Sequence, residues 1–178
     1  KRSNRFLVMR TKSPYYTDRY IKNFKIRYNQ LHDIRNFIEW NQRELVVDNL
    51  TIEGNEVKLA DEYNRGMIDF DFVPSISNVT IKDNVFDFGA YTYLGKVYSV
   101  HQIQEPSLIS FGLNGKQKIK SLVIEDNVFK NKTNSKQFAA INYRNLLGEP
   151  AASLDLPVER KVVIRNNKDA EGETLKLK

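Results

Sequence analysis

Two kinds of chemistry can be sought in this chain by residue type and spacing. The first needs paired carboxylates. In Met67-Ile68-Asp69-Phe70-Asp71-Phe72, acids alternate with apolar residues. In a strand that alternation sends Asp69 and Asp71 to one face, away from the core. If Ile38 lies beside Phe70 on a neighbouring strand, Glu39 falls beside Asp71. Carboxyl groups about 5 Å apart suit retaining glycosidic cleavage, and a wider gap suits inversion. The second kind needs a base and a cation. His101 or a tyrosine could take a proton while a cation such as Lys25, Arg27 or Lys82 stabilises the developing anion. Both sets also have a plain reading, since acids on a strand form a solvated face and a lone loop histidine is usually only exposed.

Tyrosines, with the cations Lys25, Arg27 and Lys82, also offer carbohydrate binding. Tyr91, Tyr93 and Tyr98 cluster near His101, and Tyr15, Tyr16 and Tyr20 cluster near the start. Exposed, they could stack on sugar rings and donate hydrogen bonds; otherwise they cover the side of the domain. Trp40 follows Phe37-Ile38-Glu39 and is expected to be partly buried.

These residues must be carried by some scaffold, and internal repetition identifies it. Residues 21–31 read IKNFKIRYNQL, 47–57 VDNLTIEGNEV, 76–86 ISNVTIKDNVF, 119–129 IKSLVIEDNVF and 159–169 ERKVVIRNNKD. The shared frame is an apolar residue, any residue, Ile, two variable residues, then Asn. Phe24, Leu50, Val79, Leu122 and Val162 form one apolar column, and Ile26, Ile52, Ile81, Ile124 and Ile164 a second. Two residues apart, both columns face one side of a strand. The asparagines Asn29, Asn55, Asn84, Asn127 and Asn167 are expected to turn the chain in the left-handed conformation and to bond one another as a ladder. They recur at steps of 26, 29, 43 and 40 residues. The two longer steps require insertions, placed near 90–106 and 144–157.

After each Ile stands Arg27, Glu53, Lys82, Glu125 or Arg165. The alternating sign makes sense only if successive copies are laterally adjacent, as an outward charge ladder. Leu31, Val57, Phe86 and Phe129 return an apolar residue to the core. Asp169 breaks that column and marks the end of the stack. Strand-like runs at 34–40, 67–72, 108–113 and 138–143 give each copy a second strand, and 6–9 reads as a strand of an earlier one.

The stretch Asn78-Val79-Thr80-Ile81-Lys82-Asp83-Asn84-Val85-Phe86, with its copies at 49–57 and 121–129, resembles the pectin-lyase-like right-handed parallel β-helices. That superfamily includes polysaccharide lyases, glycoside hydrolases, phage tailspikes and adhesins. The resemblance spans 20–167. It implies an all-β fold, a right-handed parallel β-helix of about five coils. It also implies a secreted or cell-surface location and a polysaccharide partner, engaged either by a lyase or hydrolase or by a non-enzymatic surface module. The Asn-Thr-Asp, Asp-Asp, Gly-His-Gly and Arg-Ile-Lys signatures of polygalacturonases are absent from the sequence. The 178 residues are expected to form one β-helix domain, or the C-terminal part of a longer one.

Composition agrees with these readings. Hydrophobic residues make up 40% and charged residues 28%, enough for a core and a wet surface. The net charge of +6 suits an anionic partner of any kind, acidic polysaccharide, teichoic acid, nucleic acid or a membrane surface, or is simply a soluble basic surface. No nucleic-acid module, phosphate loop, zinc spacing or serine triad is present, and no apolar run could span a bilayer. Cysteine is absent, which removes disulfides and thiolate sites. No cofactor is expected, although Asp83-Asn84 and Asp126-Asn127 offer oxygen ligands that would suit calcium.

Overall fold

The structure is a computed structural model. It describes residues 5–9, 19–34, 36–40, 45–59, 67–70, 73–88, 107–111, 118–130, 139–143 and 161–175. Among these, every regular element is a β-strand.

The strands run β1 (Arg5–Met9), β2 (Arg19–Arg27), β3 (Gln30–Ile34), β4 (Asn36–Trp40), β5 (Leu45–Glu53), β6 (Glu56–Leu59), β7 (Ile68–Asp69) and β8 (Ser75–Lys82). They continue as β9 (Val85–Asp87), β10 (Ser107–Phe111), β11 (Lys118–Ile119), β12 (Ser121–Glu125), β13 (Val128–Lys130), β14 (Ala139–Tyr143), β15 (Lys161–Arg165) and β16 (Lys168–Asp169). They form three parallel sheets. The first is ordered β1-β4-β7-β10-β14, the second β2-β5-β8-β12-β15 with β11 also on β8, and the third β3-β6-β9-β13-β16. The chain visits first, second and third sheet in a repeating order, so each strand's neighbour lies one circuit away.

The register is the one the repeat predicts. Ile26 pairs with Ile52, Ile52 with Ile81, Ile81 with Ile124, and Ile124 with Ile164. The Phe24, Leu50, Val79, Leu122, Val162 column stacks beside it. Ile52, Ile81 and Ile124 are fully buried. Burial of each such side chain stabilises the fold by about 1.5–3 kcal/mol. A third apolar column, Ile21, Val47, Ile76 and Ile119, sits further back on the same strands. Three residues separate it from the next inward position, an odd number that simple alternation forbids. Asn23, Asn49 and Asn78 resolve this by adopting φ of 54°, 56° and 51°. Each adds one residue in the left-handed region, and the apolar side chains resume inward.

The asparagine ladder is continuous. The Nδ2 of Asn29, Asn55, Asn84 and Asn127 donates to the Oδ1 of the next asparagine at 2.8, 2.9, 2.9 and 3.0 Å. The same Oδ1 atoms accept the backbone N–H of the preceding asparagine. The expected turn conformation belongs to the neighbour instead. Positive φ occurs at Tyr28, Gly54, Asp83, Asp126 and Asn166, one residue before each ladder position. An asparagine that must point its amide into the stack keeps an ordinary backbone, and the residue before it makes the bend.

Beyond the ladder comes the third sheet, where Leu31, Val57, Phe86, Phe129 and Asp169 are in register. Phe86 and Phe129 stack with centroids 5.8 Å apart. At Asp169 the column ends as expected. Its carboxylate accepts the N–H of Glu171 and Glu173. The chain folds back so that Lys168 bridges Thr174 in antiparallel sense. Leu175 then packs against the core, and its N–H donates to the Asn167 carbonyl.

The second strand expected of each copy is present as β4, β7, β10 and β14, and β1 extends the same sheet. The insertions near 90–106 and 144–157 lie outside the described residues.

Candidate functional site

Two groups of side chains stand where chemistry was sought. One is carried by the first sheet. Ile38 pairs with Ile68 and Glu39 with Asp69, so the two acids are lateral neighbours on β4 and β7. The register therefore differs by two residues from the alignment of Ile38 with Phe70 that would bring Glu39 beside Asp71. Ring packing accounts for the difference. Trp40 stacks on Phe70 with centroids 5.6 Å apart, and this register puts one beside the other. In backbone register, Ser110 pairs with Asp69 and Asn142 with Ser110.

The expected exposure of Asp69 is overturned. Glu39 is 2% exposed and Asp69 0%. All five residues of β4 are buried, Phe37 and Trp40 both pack on core rings, and so the strand gives Glu39 no solvent-facing side. Trp40 is itself buried rather than half exposed. The structure thus brings two candidate acids to adjacent strands, where neighbours lie about 4.8 Å apart, and keeps both from solvent. Asp71 and His101 lie outside the described residues, as do Tyr91, Tyr93 and Tyr98.

The other group lies on the outer face of the second sheet. Arg27, Glu53, Lys82, Glu125 and Arg165 are in register across five strands. Glu53 holds two cations, Arg27 Nε at 2.8 Å and Lys82 Nζ at 2.8 Å. Glu125 holds Arg165 at 2.7 Å. The hydrogen bond from Lys82, with Arg27 beside it, holds the Glu53 carboxyl below the usual carboxylate range. Its hydrogen bond and charge in turn raise the Lys82 ammonium. Asp48 is lowered likewise, first by hydrogen bonds from Ser77 and Asn78 and then by Lys22. Arg27 and Lys82, both candidates for contact with a ligand, are thus partly neutralised by one internal acid. Lys25 is exposed in register with Thr51.

Strand β2 concentrates what remains. Its outer face presents Tyr20, Lys22, Lys25 and Arg27, with Tyr28 at the turn that follows. Tyr20 and Tyr28 are 55% and 73% exposed. Lys22 Nζ lies 4.7 Å above the Tyr20 ring. Tyr28 is the one aromatic residue at its position in the repeat. It occupies the left-handed position held elsewhere by Gly54, Asp83, Asp126 and Asn166, where a bulky residue is uncommon. Its ring lies across the next circuit, against the place a Gly54 Cβ would occupy, 2.6 Å away.

No group of three or more metal-ligating side chains occurs among the described residues. The Asn84 and Asn127 amides proposed beside calcium are engaged in the ladder, and Asp83 lies 3.5 Å from Lys82. No helix among the described residues is long and apolar enough to cross a membrane. No family model matches the chain, and no curated protein or solved structure matches it either.

Proposed function

We infer that this chain is a right-handed parallel β-helix of five coils that binds an anionic polysaccharide at the cell surface or outside the cell without cleaving it. One observation carries the reading: the outer face of β2 joins exposed tyrosines to exposed cations and bears no acid. From Tyr20 to Tyr28 this row extends about 25 Å at the rise of an extended strand. Flat rings at its ends suit stacking on sugars, and the cations between them suit carboxylate or sulfate groups. Desolvated Arg and Lys contacts with such anions are charge-assisted hydrogen bonds, stronger than neutral ones.

The catalytic alternative rests on Glu39 and Asp69. Their adjacency is near the separation a retaining glycosidase needs. Burial of both acids weighs against it, because a substrate has to reach them.

Binding and turnover are measured together on a panel of anionic and neutral glycans. The reading predicts retention on anionic members only, with no new reducing ends and no absorbance from unsaturated ends. Lys22→Glu with Lys25→Glu should weaken binding at least tenfold at low salt, and Tyr28→Ala should weaken it further. Equal affinity for neutral glycans, or none for any glycan, would overturn it. Cleavage that Glu39→Gln abolishes would establish the catalytic alternative.

A further inference from the structure

The two ends of the stack differ. At the end formed by β14, β15 and β16, the fold-back at Asp169–Leu175 lies over the last circuit, and the Leu175 N–H takes the Asn167 carbonyl. Glu56, Val85, Val128 and Lys168 make that same bond to the four earlier ladder carbonyls. At the end formed by β1, β2 and β3, no described segment plays such a part. There the inward columns open to solvent. Phe6 and Phe24 are 38% and 40% exposed, while Leu50, Val79 and Leu122 in the Phe24 column are fully buried. Every other ladder oxygen accepts two donors from the preceding asparagine, but none of the described residues donates to Asn29 Oδ1.

Charge says what fits this end. In the second sheet, β2 carries four cations and no acid, β5 two acids and no cation, β8 one cation, β12 one acid, and β15 two cations. Sign alternates strand by strand, and Lys22 with Asp48 and Arg27 with Glu53 are in direct register. The strand completing β2 on its open side is therefore acidic. A second copy does not satisfy this. Copies meeting at their β2 edges set four cations against four, and a head-to-tail copy sets β2 against the basic β15 beneath the fold-back. Lysine on an open edge is also a common device against self-pairing.

We propose that the β1–β2–β3 end is a stacking surface for a further parallel β-coil of the same polypeptide, entering through β1. That coil has an acid opposite Arg27, a second acid opposite Lys22, and an asparagine whose amide donates to Asn29 Oδ1. The coil meets the edge of β2, not its outer face, so the inference stands apart from the glycan reading.

The test places a copy of residues 36–66 ahead of Lys1. The copy carries acids at the Asp48 and Glu53 positions and an asparagine at the Asn55 position. Hydrogen exchange is followed across β2, with β5 as internal reference. Exchange in β2 should slow at least tenfold in the fusion. It should slow far less when both acids of the copy are changed to lysine. No slowing with the acidic copy, or equal slowing with the lysine copy, overturns the proposal. So does finding that the parent chain is a dimer whose β2 protection is lost in Phe24→Lys, since a second copy then covers the end. If the fusion unfolds the host, the same copy is added as a free peptide, and failure to slow β2 exchange overturns the proposal equally.

Discussion

Asn84 shows how one residue type serves three purposes in this fold. Its Nδ2 donates to Asn127 Oδ1 and to the carbonyls of Ile52 and Lys82, and its Oδ1 accepts from the Asn55 backbone and side chain. Asn84→Ala should destabilise the protein by about 3 kcal/mol or more, because each buried group left without a partner costs about 1–3 kcal/mol. Chemical denaturation checks this, and a loss below about 1 kcal/mol would mean that water takes over the ladder. Gly54→Ala should cost about 1–2 kcal/mol for a left-handed alanine, plus the displacement of Tyr28. In a Tyr28→Ala background only the backbone part should remain, which a double-mutant cycle measures. Ile81→Asn should abolish cooperative unfolding, since a buried amide would stand without partners inside an aliphatic column. An unchanged melting curve would remove Ile81 from the core.

Among the elements, the second sheet was legible in strands and register, and the first in its strands but not in its register. Alternation of period two, with Ile and Asn at fixed offsets, permits one lateral alignment of the five copies, and a slip by one residue would turn every Ile outward. The first sheet offers no such frame. In Ile68-Asp69-Phe70-Asp71 a slip by two residues again sets acid beside acid and apolar beside apolar. Only side-chain size decides, and Trp40 on Phe70 is a packing fact no pattern prints. The burial of Glu39 and Asp69 escaped for a related reason: alternation tells which residues share a face, not whether that face is covered. The third sheet showed in the sequence only as a returning apolar residue, because its strands are two to five residues long.

The charge ladder of the second sheet makes a prediction about pH. Asp48 and Glu53 titrate below their unfolded values, so their contribution is present at neutral pH. It is lost as pH falls from about 4 through the folded values. Lys82 titrates above its unfolded value, so its contribution is lost only as pH rises beyond about 10.5. Stability should form a plateau between these limits. In Glu53→Gln the acid limb should shrink, measured as melting temperature against pH at low salt. An acid limb of equal size in that variant would place the titration elsewhere.

For the whole molecule, stability follows from lateral repetition more than from any one contact. The alternating columns confine each circuit to one register, and the fold-back at Asp169–Leu175 covers the last. A distance that grows with circuits rather than with sequence is the signature of such a stack. Lys25 and Val163 are outward residues of one row, in register through Thr51, Thr80 and Val123. Four strand spacings of about 4.8 Å put their backbones about 19 Å apart. Spin labels at these two positions, read by pulsed electron resonance, should give one narrow distribution near 20 Å once allowance is made for the label arms. A broad distribution, or a mean beyond about 30 Å, would contradict the stacked register.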